Sequence, residues 1–147
     1  MKKILMLLIL ATVTINSMAQ EFKIITIVES IVPAGIGRSR IIENQGTVDV
    51  TAITSEREGN KSKDEVKRGD LKDAGNNLKE TKLLNFYSIA GINFGNIASN
   101  DAIIGAKINE MIKQGWTVAF VTSGVESDSG EGDGNGIFIT RIYFRRG

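Results

Sequence analysis

Phe22, Ile24, Thr26 and Val28 alternate with Lys23, Ile25, Ile27 and Glu29. Both sets contain apolar residues and β-branched side chains are frequent, so the pattern predicts a strand buried on at least one face. Pro33, Gly35 and Gly37 end that strand in a loop. Ile41-Ile42, a turn at Asn44-Gln45-Gly46 and the run Val48–Ile53 predict a weaker hairpin. The pattern then changes in kind. Residues 55–82 carry fifteen charged side chains, and Val66, Leu71, Ala74 and Leu78 are their only apolar residues. So little burial does not offset the entropy of ordering a backbone, so this stretch is expected to be a charged, mobile insertion.

Apolar density returns at Leu84, Phe86, Tyr87, Ile89, Ile92 and Phe94, broken by Gly91 and Gly95, which predicts a short or irregular strand. Ser99-Asn100-Asp101 reads as a helix N-cap. From Ala102 to Gln114, the residues Ile104, Ile108, Met111 and Ile112 fall on one helical face, and Gly115 is the expected stop. Trp116 opens a strand, 124–136 is a glycine-rich connection, and Ile137–Arg145 is a closing strand. The fold class expected is α+β: a small antiparallel sheet, one packed amphipathic helix at about 102–114 and a C-terminal β-hairpin.

The first nineteen residues read as a leader. Lys2 and Lys3 precede the apolar run Ile4–Ala11, and Ser17-Met18-Ala19 has the small-x-small pattern that a signal peptidase reads. The organisation expected is a signal peptide at 1–19 and a single domain at 20–147, with the insertion at 55–82. Such a chain is bacterial, periplasmic or secreted, and has no membrane anchor after cleavage. An apolar run of eight residues is too short to span a bilayer, which takes about 20.

Composition narrows the chemistry. The chain of 147 residues has no Cys and no His, and its formal charge is +1. Thiol nucleophiles, disulfides, thiolate and imidazole metal sites and imidazole general bases are therefore excluded. The near-neutral charge argues against a nucleic-acid partner. No Ser-x-x-Lys or Gly-x-Ser-x-Gly motif occurs. No catalytic residue and no cofactor are assigned.

The run from Lys107 to Val118, with its helix–Gly115-Trp116–strand step, resembles the small bacterial "domain of unknown function 4177" family. The opening strand Glu21–Ile25 and the closing Ile142-Tyr143-Phe144-Arg145-Arg146 are similar to that family's first and last strands. The resemblance leaves out the charged insertion and the Gly/Asp-rich hairpin loop. It implies a compact α+β domain, no established activity and no functional residue to carry over.

Four features have a functional reading beside a plainer one. Asp128, Glu131, Asp133 and Asn135 offer oxygen ligands for calcium, although their spacing is not that of an EF-hand and such residues also build ordinary loops. Arg38 and Arg40, beside Gly35 and Gly37, could hold an anion or simply face water. Trp116 could stack on a sugar, but an indole at a helix–strand corner is ordinarily core. Arg141, Tyr143 and Arg145 share one face of the last strand, either as a basic, aromatic contact surface or as its solvent side. The leading expectation is an exported, non-enzymatic module whose partner is an unknown protein or another copy of itself. The alternatives are a weak calcium, anion or small-ligand binder and a small hydrolase whose carboxylates meet only in the fold.

Overall fold

The computed structural model describes residues 20–31, 38–59, 61–62, 66–125 and 136–147. Residues 1–19, expected to be a leader, and the candidate calcium ligands Asp128, Glu131, Asp133 and Asn135 lie outside the described residues.

The alternating segment at the start forms β1 (Glu21–Ser30). It lies at the centre of a five-stranded antiparallel sheet, paired along its whole length with β9 (Ile137–Arg146). On its other side lies β2 (Arg40–Asn44), and beyond β2 the edge strand β5 (Leu78–Lys82). The opposite edge is β8 (Thr117–Val125), paired with β9. The strand order is therefore β5-β2-β1-β9-β8. Two two-stranded ribbons, β3 with β4 (Arg57–Glu58, Lys61–Ser62) and β6 with β7 (Tyr87–Ser88, Gly91–Ile92), lie outside this sheet. A short helix α1 (Arg68–Asp73) and the long helix α2 (Phe94–Lys113) are the α-helices among the described residues. The α+β expectation holds: α2 packs on an antiparallel sheet and the chain closes with the β8–β9 hairpin.

Three details differ from the sequence reading. Val48–Ile53 forms no strand; it holds a single helical turn at Thr51–Ile53, and β2 pairs instead with β5. The charged stretch at 55–82 thus places its last five residues in the sheet. Leu78, Lys79, Glu80, Thr81 and Lys82 match β2 residue for residue, and backbone pairing at an edge tolerates charged side chains that point to water. The long helix begins eight residues earlier than the pattern suggested. Its N-cap is Asn93, whose side chain accepts a bond from the Asn96 amide at 3.1 Å.

The helix ends where the sequence places the stop. Gly115 takes a left-handed φ of +85°, and the Trp116 amide donates to the Met111 carbonyl at 3.1 Å. The core is one layer between helix and sheet. It joins Ile25, Ile27, Ile41, Leu83, Met111, Trp116, Ile142 and Phe144, with Ile103, Ile104 and Ile108 packed against it. Ile112, expected inside, is half exposed because it lies about 100° further round the helix than Met111. The most buried positions of the helix are Met111 and two polar residues, Asn100 and Lys107.

Candidate interaction surface

Five polar or charged residues are buried among the described residues: Ser30, Ser39, Glu43, Asn100 and Lys107. Lys107 reaches down from α2 to Glu43 on β2 at 2.9 Å, and Lys23 on β1 approaches the other oxygen of Glu43 at 2.9 Å. Glu110 accepts from Lys107 at 3.0 Å. Burial pushes the Glu43 carboxyl up, but hydrogen bonds and charge from Lys23 and Lys107 outweigh it and hold the carboxyl below its ordinary value. By the same balance Lys107 is held above its own, because burial is outweighed by Glu43 and Glu110. The cluster is satisfied and closed, and it fastens helix to sheet.

A second network lies nearer the start of the helix. Asn100 accepts from the Leu84 amide at 2.8 Å, and its Nδ2 donates to the Leu84 carbonyl at 2.7 Å and to Glu29 Oε1 at 3.1 Å. Burial, with Asp101 nearby, raises the Glu29 carboxyl despite its bond from Asn100. The Ser39 hydroxyl accepts from the Ser30 amide and donates to Asn85. These groups bond to one another. Among the described residues, no three His, Cys, Asp or Glu side chains gather as a metal site would require.

What the fold leaves open is a surface. The helix covers one face of the sheet. Cross-strand register assigns Phe22, Ile24, Thr26 and Val28 of β1 to the other face, with Arg40 and Ile42 of β2 and Ile137, Ile139, Arg141, Tyr143 and Arg145 of β9. Phe120 of β8 joins them, its ring centroid 5.8 Å from that of Tyr143. Phe22 and Phe120 are about 60 % exposed and Ile24 about half. Glu80 and Lys82 of β5 lie at the far margin of this face, where Arg40 pairs with Glu80 at 2.8 Å. Four cations therefore share the face with one anion. Arg141 and Arg145 have no ion pair among the described residues.

The margin formed by β8 is the less usual feature. Thr117–Val125 contains no charged residue and no proline. All nine residues are exposed. The helix stops short of this strand, so Val118, Val121 and Val125 are open to solvent on the helix side as Phe120 is on the other. A register shift between Val118 and Phe120 marks a bulge, which leaves Phe120–Val125 as the regular part.

The residues singled out in sequence fall unevenly on this map. Arg141, Tyr143 and Arg145 do share the open face, with Ile142 and Phe144 buried beneath them. Trp116 is buried, with the Arg146 guanidinium 4.5 Å above its ring, so no sugar can stack there. Arg38 is exposed, and the Arg40 guanidinium is engaged by Glu80. The openness of the β8 edge is not marked in sequence: its nine residues carry no charge, but neither do the eighteen from Leu83 to Asn100. Compared with protein-family models, with curated proteins and with solved structures, the chain shows no match in any of the three.

Proposed function

We propose that this chain is an exported binding module that receives an extended segment of a protein along β8 and the adjoining open face. The observation that carries the reading is the nine-residue, charge-free edge β8, exposed on both faces at the margin of a sheet that α2 covers on one face only. Such an edge presents unpaired backbone donors and acceptors, and folded proteins ordinarily blunt it with lysine, proline, a bulge or a covering loop; in β8 the bulge lies before Phe120 and leaves Phe120–Val125 regular. An added strand gains its affinity from main-chain bonds and its specificity from side chains on each face. Lys2, Lys3, the apolar run to Ala11 and Ser17-Met18-Ala19 support export from a bacterial cytoplasm. No helix among the described residues is long and apolar enough to cross a membrane. The similarity of the Gly115-Trp116 segment to the "domain of unknown function 4177" family belongs to the same proposal and adds no activity to it.

Site-specific photo-crosslinking in the producing cell tests the reading. A photoreactive residue at position 120 should give a protein adduct of discrete mass, and one at Asp101, exposed on the helix, should give none. Absence of an adduct from position 120, or equal labelling from both, overturns it.

A further inference from the structure

We infer that the strand received by β8 is β8 of a second copy, the two edges pairing antiparallel about a two-fold axis at Thr122. The inference rests on the reading above that β8 is the binding edge. Stacking two open faces would oppose their shared excess of cations, with Arg141 and Arg145 of one copy brought against those of the other. The β5 edge is blunted by Lys79, Glu80 and Lys82. Against itself, β8 meets neither obstacle, because it brings no charge to either face.

The register follows from side-chain direction. A two-fold axis between antiparallel strands runs normal to the sheet, so each residue must oppose one from the same face. Within the regular part, an axis at Thr122 sets Thr122 against its own copy, Val121 against Ser123 and Phe120 against Gly124. The last pair has a shape to match. A trough of about 420 Å³ runs along the sheet at Gly124, lined on the open face by Thr122, Ile137, Ile139 and Arg141. A Cβ placed on Gly124 would meet nothing within 4 Å. The exposed Phe120 ring of one copy has a vacant place over the glycine of the other, and symmetry supplies the contact twice. An axis at Val121 would set Phe120 against Thr122, and one at Ser123 would carry it past Val125, so neither brings the ring to Gly124. The product is a ten-stranded sheet with its cationic faces side by side rather than opposed. An interface built from one strand pair lies at the small end of the size range, so association is to be read at protein concentrations from about 1 μM to about 1 mM.

Sedimentation of the purified chain over that range, with two substitutions, tests the pairing. Wild type should shift from monomer to twice the monomer mass. Gly124→Val should fill the trough and stay monomeric, while its melting temperature in dilute solution remains that of wild type. Phe120→Ser should also stay monomeric. A wild type that is monomeric throughout, or a dimer that both variants preserve, overturns the proposal. The crosslink from position 120 separates the two readings: an adduct of twice the chain mass supports self-pairing. An adduct of any other mass, with a monomeric purified chain, removes self-pairing and leaves the binding edge. No adduct removes both.

Discussion

Glu43 shows at the scale of one residue how charge is kept inside this fold. Its carboxylate is almost wholly buried yet touches two ammonium groups, Lys23 and Lys107. Removing one member of such a set leaves the others buried and underpaired, which is strongly destabilising. Glu43→Gln keeps the shape and one acceptor, so the expected loss is about 2 kcal/mol, read by denaturant unfolding at pH 7. The pH dependence has a defined sign. The folded Glu43 carboxyl lies below its ordinary 4.5, so its contribution is present above that value and is lost as pH falls through the folded one. Lys107 lies above its ordinary 10.5, so its contribution is present below that value and is lost as pH rises through the folded one. Glu29 runs the other way. Its folded carboxyl is raised, so its charge opposes folding at neutral pH and the penalty is relieved as pH falls toward 4.5. Glu29→Gln keeps an acceptor for Asn100 and should leave stability at pH 7 equal or slightly higher, with a smaller loss of stability as pH rises above 4.5. A clear loss of stability at pH 7 would show that the charge itself is needed. None of this was legible in sequence. Lys107 and Glu43 are 64 residues apart, and a lysine in a helix reads as a solvated position until the sheet beneath it is known.

At the scale of the element, α2 was recognised by its C-terminal half and misjudged in its first. Ile104, Ile108 and Met111 mark the packed face, and Gly115 marks the end. Asn100 was read as part of a cap because asparagine bonds backbone groups wherever they are unpaired, at a helix start or beside one. Here it sits within the helix and acts as a strand would, taking both the amide and the carbonyl of Leu84. The two roles predict different costs. The true cap, Asn93, bonds one amide, and Asn93→Ala should cost about 1 kcal/mol. Asn100→Ala strands two backbone groups and leaves a void in a fully buried position, and should cost about 3 kcal/mol. Equal losses for the two substitutions, measured by denaturant unfolding, would return Asn100 to the role of an ordinary helix residue. The sheet edges show the same lesson in reverse. Polar, charged Leu78–Lys82 gave no strand signal because β5 buries almost nothing, while the apolar β8 read as a strand without showing that its faces stay open.

For the whole molecule, the question is which parts of the chain the core requires. The sheet, α2, the segment that carries Leu83 to the helix and the Gly115-Trp116 corner supply every residue of the buried cluster. Residues 45–77 supply none, and no side chain described among them is buried. Their two ends are nevertheless adjacent: Asn44 pairs with Leu78, and the Gln45 amide donates to the Asn77 carbonyl at 2.8 Å. The charged excursion seen in sequence is therefore the loop of a β2–β5 hairpin, with boundaries at 45 and 77 rather than 55 and 82. Composition located it but could not set its far end, because β5 is as charged as the loop that leads to it. Replacing residues 46–76 with Asn-Gly should close the same hairpin, since that pair favours the twist of a two-residue turn. The deletion loses the bond from the Asn44 side chain to the Ala74 carbonyl, which is exposed and contributes little. It gains closure entropy, about 0.6 kcal/mol for each halving of loop length. The shortened chain should unfold cooperatively at a midpoint equal to or above that of wild type. It should also keep the position-120 crosslink, because β8 lies at the opposite edge of the sheet. Loss of the folding transition would show that the excursion, with its short helix α1 and ribbon β3–β4, holds the β5 edge in place rather than hanging from it.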